Sequence, residues 1–135
     1  MLVYASADGD PRRAGSLDVI DAISAARAAG GSSAAVIEEL WHLALTGQVP
    51  GLAGQSRAAH RILRPLLEID DEVLEIAFAL ELDGDAELGA SDRLHAATCI
   101  RHGIADIVSA DRGFDAVREL NRIDPIDARA LEVLW

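Results

Sequence analysis

The chain has no lysine, one cysteine and, as aromatics, only Tyr4, Trp41, Phe78, Phe114 and Trp135. A lone thiol, Cys99, cannot close an intramolecular disulfide, which excludes a disulfide scaffold and gives no sign of an oxidising compartment. No apolar run approaches the roughly eighteen residues of a membrane span, and the N-terminus lacks the basic and apolar regions of a secretory signal. A cytoplasmic location is expected. Positive charge is scarce too: 12 basic residues face 23 acidic ones, for a net charge of −11. That balance argues against broad phosphate neutralisation of the kind a simple DNA-binding domain uses. It suits a nest of carboxylates around a divalent metal, or a basic partner. What is abundant is small apolar residues, with 25 alanines in a chain that is 50% hydrophobic. Helices packed closely on something flat are favoured, and 135 residues make one domain, residues 1–135, the default.

Along the chain, Leu2 to Ala5 is a short β-prone run that reads as a strand. Asp10 and Pro11 start a helix that apolar spacing carries to Gly30 and Gly31. Ala34 to Thr46 reads as a mostly buried helix with one acidic strip, stopped by Gly47. A loop with Pro50, Gly51 and Gly54 precedes a helix near 53–64, and Leu66 to Ile69 is a possible short strand. Asp70 or Asp71 caps a further helix through Leu80, followed by the acidic turn Asp83 to Gly89. The spacing then predicts a helix over 90–103, a strand over Ile104 to Ala110 and a last helical turn within Phe114 to Leu120. No repeat, linker or low-complexity stretch interrupts the series. Strands alternating with helices imply an α/β fold with a parallel sheet covered on both faces.

Ligands of open parallel sheets bind outside the carboxyl ends of the strands, where Asp111 falls. Asp92 opens its helix and points within about 40° of Ala96 and Cys99, the small apolar side expected to face the sheet. Glu38 or Glu39 adds a carboxylate from a third element. Three such acids form an oxygen donor set for Mg²⁺ or Mn²⁺, which activate water. Each also has a structural reading: an acid in a first helical turn complements the macrodipole, one after a strand makes a turn, and Glu38 and Glu39 can be a solvated edge. Periodicity does not choose between these. His42, His60, His95 and His102 lack zinc-ligand spacing. Cys99 reads as a packing residue, and Ser32 and Ser33 as caps rather than hydrolase nucleophiles.

The segment LGASDRLHAATCIRHGIADIVSADRGFDAVRELNRIDP, Leu88 to Pro125, resembles the C-terminal half of PIN-domain proteins, particularly the VapC-like ribonuclease toxins of type II toxin–antitoxin modules. The resemblance lies in D-x-L-H-A-A, here Asp92, Leu94, His95, Ala96 and Ala97, and in S-x-D-x-x-F-D, here Ser109, Asp111, Phe114 and Asp115. Glu39, Leu40 and His42 are similar to the family's E-L-x-H segment, which selects Glu39 over Glu38. The resemblance implies a three-layer α/β/α domain with a central parallel sheet and a Mg²⁺ or Mn²⁺ site built from Glu39, Asp92 and Asp111. Asp115 would contribute from the outer sphere, and Ser109 and Arg112 are candidate substrate contacts. It further implies endoribonuclease activity on RNA, a homodimer, and a cognate antitoxin whose arginine would pair with the acids.

Two positions depart from the family pattern. The first strand is expected to begin with an Asp about three residues before Leu2, where the chain has only Met1. A start codon placed too late and a truncated gene both produce this, and a non-catalytic module that only binds antitoxin or RNA is the alternative function. The second is Gly113, where relatives carry a polar or acidic residue.

Overall fold

The computed structural model describes residues 1–49, 52, 54–84 and 87–135. Its main elements are α1 (Arg13–Ser24), α2 (Ala34–Leu45), α3 (Gln55–Ile62), α4 (Asp71–Ala79), α5 (Ala90–Arg101), β1 (Asp106–Val108), β2 (Asn121–Ile123) and α6 (Ala128–Leu131). Short 3₁₀ turns form at Tyr4–Ser6, Arg112–Ala116 and Glu132–Leu134. The fold is α/β: helices surround a small parallel sheet in which Asp106, Ile107 and Val108 pair with Asn121, Arg122 and Ile123.

The small residues explain the packing. Ala96, Ala97 and Thr98 are buried in α5, and neighbouring positions serve two cores. Ala97 meets Val73 and Ala77 of α4, with Ile69, Ile76 and Leu94 around them. Ala96 meets Leu88, Phe114 and Val117 on the side of the sheet. Without large side chains, both neighbours approach the α5 backbone closely. Asp70 caps α4 by accepting from the Val73 N–H at 3.0 Å, as its position before an apolar run requires. A third core joins Val19 of α1, Ile123 of β2 and Leu131 of α6. Gly15 permits that closure: a Cβ there would overlap the Pro125 carbonyl oxygen and lie 2.8 Å from Leu131 Cδ1.

Several expected elements change. Leu2 to Ala5 is not a strand. The Tyr4 N–H donates to the Met1 carbonyl and Ser6 N–H to Val3, so local turns satisfy the donors a ladder would use. Leu2 and Val3 instead pack against Leu40, Leu52, Ala59 and Leu63. Of the possible strand Leu66 to Ile69, only Leu67 pairs, as an isolated parallel bridge to Ser33. Helix α1 stops at Ser24, short of Gly30, because Ala26 takes a left-handed φ of 54° and the Arg27 N–H closes back on Ala22. The strand expected over Ile104 to Ala110 is trimmed to three residues, and the turn after Phe114 forms earlier, at Arg112–Ala116. Helix α2 keeps its expected span but is not mostly buried: Leu40 alone is fully covered, while Trp41 is 57% and Leu45 72% exposed. Its neighbours cover one side only. Pro50, Gly51, Ala53, Asp85 and Ala86, which belong to the expected loop, the start of the third helix and the acidic turn, lie outside the described residues.

Candidate carboxylate site

Asp92 sits in the first turn of α5, where the chain leaves Gly89 in an extended conformation. Asp111 follows β1 by three residues and caps the 3₁₀ turn of Arg112–Ala116, accepting from the Gly113 N–H at 2.8 Å. The Asp111 N–H donates in turn to Ser109 Oγ at 3.1 Å. Ser109, Asp111 and Gly113 thereby form one short chain of hydrogen bonds that fixes the loop at the end of the strand. Glycine is suited to the third position, since a Cβ on Gly113 would lie 2.6 Å from Leu88 Cδ2 and 3.2 Å from Asp111 Oδ1. The departure at this position therefore has a packing cause.

Glu39 enters from α2 and is held by α5. Ser91 Oγ donates to Glu39 Oε1, and His95 Nε2 lies 3.1 Å from Oε2. Ser91 and His95 are one turn apart on α5, so they present themselves on the same side of the helix. The His95 side chain is largely covered, with Nδ1 buried and unpartnered.

The electrostatics tie the three acids together. Partial burial pushes the Asp92 carboxyl up from its ordinary value; Asp111 and Glu39 push the same way by like-charge repulsion, and His95 opposes them. Carboxylates from α2 and from the loop after β1 thus act on the charge of the one on α5. Oxygen donors of this type, with like charges that repel at Asp92, fit a hard divalent cation in chemistry and in charge. With the side chains placed as they are, no group of three or more His, Cys, Asp or Glu among the described residues is close enough to hold a metal ion. Glu39 is committed to Ser91 and His95 instead.

Asp115 is not brought to this group. Both its oxygens are taken by Arg122, at 2.7 Å from Nε and 3.3 Å from Nη2. Arg122 also donates from Nη1 to the Ser109 carbonyl at 2.9 Å and to Asp124 Oδ2 at 3.2 Å. Its side chain is 11% exposed, and it ties β2 to the loop that carries Asp111. Arg112 is exposed and forms no ion pair among the described residues.

Sequence reasoning missed Arg122 and Arg93. Arg93 donates to the Leu88 carbonyl at 3.2 Å and the Leu80 carbonyl at 2.9 Å, pinning the end of the acidic turn and the C-cap of α4 to α5. No local signal marks Arg122: it lies in the polar stretch from Arg118 to Asp124, and its partners Asp115 and Asp124 stand seven and two positions away. The small apolar reading of Cys99 agrees with its environment, since burial pushes its thiol up and away from reactivity.

No helix among the described residues is long and apolar enough to cross a membrane. No curated protein and no solved structure matches the chain. A family model does, the PIN domain, over residues 1–120. That match covers most of the chain, and the chain belongs to the PIN domain family, generally a nuclease fold and typically metal-dependent.

Proposed function

We propose that this protein is a metal-dependent endoribonuclease of the VapC-like toxin class. The observation that supports this reading best is the coupling of Asp92 to Asp111 and Glu39 from three separate elements at one end of β1. Those three residues would hold Mg²⁺ or Mn²⁺, and a cation there supplies activation of water and neutralisation of phosphate charge. The rest is the work of the chain's own side chains. Ser109 and the Gly113 N–H hold Asp111 at the strand end. Ser91 and His95 hold Glu39, which would have to leave them to join a metal ion. Arg112 and Ser109 offer a cation and a hydroxyl to the phosphodiester, and hydrolysis adds water to phosphorus as the bond to one ribose oxygen breaks. Asp115 acts outside the first sphere, through the loop it shares with Asp111.

The same carboxylates are a natural seat for an arginine, which pairs bidentately with such groups. A cognate antitoxin segment bearing one would block the site, and the active species is a cytoplasmic homodimer. The second reading, a non-catalytic module that binds antitoxin or RNA, draws support from the engagement of Glu39 by Ser91 and His95.

Cleavage of a mixed RNA substrate by the purified chain in Mg²⁺ and in Mn²⁺ separates the two. Cutting is expected, abolished by EDTA and reduced at least roughly a hundredfold by Asp92→Asn, as loss of a metal ligand requires. Cutting that survives Asp92→Asn would remove the site assignment. No cutting by a folded chain would favour the binding module.

A further inference from the structure

Outside the carboxylate site, charge is distributed very unevenly. The stretch from Leu40 to Leu67 contains no aspartate or glutamate, although the whole chain carries 23 acids. Within it lie Arg57, His60, Arg61 and Arg64, all exposed. At 100° per residue the three on α3, Arg57, His60 and Arg61, fall in a stripe about 100° wide, opposite buried Ala59, and Arg64 follows just past the end of the helix. Among the described residues none of these arginines forms an ion pair, whereas Arg12, Arg13, Arg101, Arg118 and Arg122 all do.

The stripe borders the exposed side of α2. Ile37 and Trp41 of α2, with Ser56, Arg57 and His60 on the α3 side, line an open groove of about 270 Å³. An exposed indole beside guanidinium groups that form no ion pair suits a single-stranded polyanion, which offers a base to the ring and phosphates to the cations. Bases stack on aromatic faces, and phosphates follow the cations. Glu38, one turn before Trp41, marks the α2 rim as acidic, so the backbone belongs on the α3 side with only a base reaching the indole.

We infer that the groove between α2 and α3 binds single-stranded RNA, with an unpaired base stacked on Trp41 and the phosphates along Arg57, His60 and Arg61. This rests on the ribonuclease reading only in taking RNA as substrate. Glu39 lies two positions before Trp41, about 200° around α2, and a helix is about 10–12 Å across. The groove and the carboxylates thus lie on opposite sides of α2, and a strand seated in the groove would have to cross the helix to reach them.

The test reads binding without cleavage. The full chain carrying Asp92→Asn, to prevent cutting, and Trp135→Phe, to leave Trp41 as the only indole, is titrated in EDTA with an oligouridylate of roughly 12 nucleotides. Quenching of Trp41 fluorescence is expected. Adding Arg57→Ser and Arg61→Ser should raise Kd about tenfold and flatten the salt dependence of log K by about 1.4, two phosphate contacts on a single strand. Trp41→Leu should weaken binding about tenfold, and Trp41→Phe should restore most of it. Circular dichroism confirms that each variant is folded. An unquenched Trp41 with Kd indifferent to the arginines overturns the inference even if the wild type cuts RNA. Arginine variants that change the sedimentation of the protein but not its RNA affinity overturn it too, and assign the stripe to contact with a second, acidic copy. Groove-dependent binding by a chain that never cuts upholds it while removing the nuclease reading.

Discussion

Replacing Arg122 by Met keeps the approximate length of the side chain and removes its charge and every side-chain hydrogen bond. Four contacts go: two to Asp115, one to Asp124 and one to the Ser109 carbonyl. Their value is uneven. Asp115 is 54% exposed, so water takes over there and the exposed pair contributes only about 0.5 kcal/mol. Asp124 is 27% exposed, and with the Ser109 carbonyl it loses partners that solvent replaces poorly, at about 1 kcal/mol each. The expected loss is about 2–3 kcal/mol. For a domain of this size that lowers Tm by about 10 °C. Arg122→Lys should recover less than half, since an ammonium cannot span four acceptors in a plane. The acid limb supplies a second check. Burial raises Asp124, but the Ile126 N–H and Arg122 outweigh it and hold the carboxyl below its ordinary value of 3.8. A group depressed in the folded state adds stability above its unfolded value and loses it as pH falls through the folded one. The wild type should therefore lose more of its Tm on acidification below about pH 4 than Arg122→Met does. Thermal unfolding followed by circular dichroism decides the matter. A Tm for Arg122→Met within about 2 °C of wild type would refute the reasoning, because it would mean that the sheet and the Asp111 loop hold their relation without this side chain.

Asp92→Asn should separate metal affinity from fold stability: saturating Mn²⁺ at a hundred times Kd should stabilise the wild type by about 2.7 kcal/mol and the variant hardly at all. Since Asp92 is raised in the metal-free fold, protonation favours that fold. Its contribution to metal-free stability is gained as pH falls toward the folded value and lost as pH rises above it, and Asn should erase that slope in melts run with EDTA. Gly15→Ala should destabilise by about 3 kcal/mol in urea titrations, because the obstacle is the Pro125 backbone and cannot rotate away. Gly113→Ala should be milder, about 1 kcal/mol, since Leu88 Cδ2 can move, but it should weaken Mn²⁺ binding measured by calorimetry through displaced Asp111.

The helices were legible because periodicity, caps and breakers are local: α2 lies inside its expected span, and Asp70 caps α4 as read. The parallel sheet was legible in kind but not in extent. Leu2 to Ala5 has strand composition, yet strand formation needs a partner edge, and local turns met its hydrogen-bonding needs instead. Conversely Asn121–Ile123 is too short and too polar to announce itself, and becomes a strand because Asp106–Val108 lies alongside. At the site, residue types and spacing pointed to Glu39, Asp92 and Asp111; the other two lie near enough to raise Asp92, but among the described residues the side chains are not gathered into a group that could hold a metal ion. What the linear chain does not display is who holds whom. Ser91 and His95 on Glu39, and Arg122 on Asp115, are contacts across 52, 56 and 7 positions that no local pattern encodes.

The pairing of β1 with β2 carries a lesson about boundaries. The family match stops at residue 120, one residue before β2 begins. Everything that completes the sheet comes afterwards: Arg122, Ile123, the fully buried Pro125 and Leu131. A fragment cut to the matched region would strand β1 without a neighbour and uncover Val19. The recognisable unit and the foldable unit are thus different lengths of the same chain, and any excision or fusion should respect the longer one.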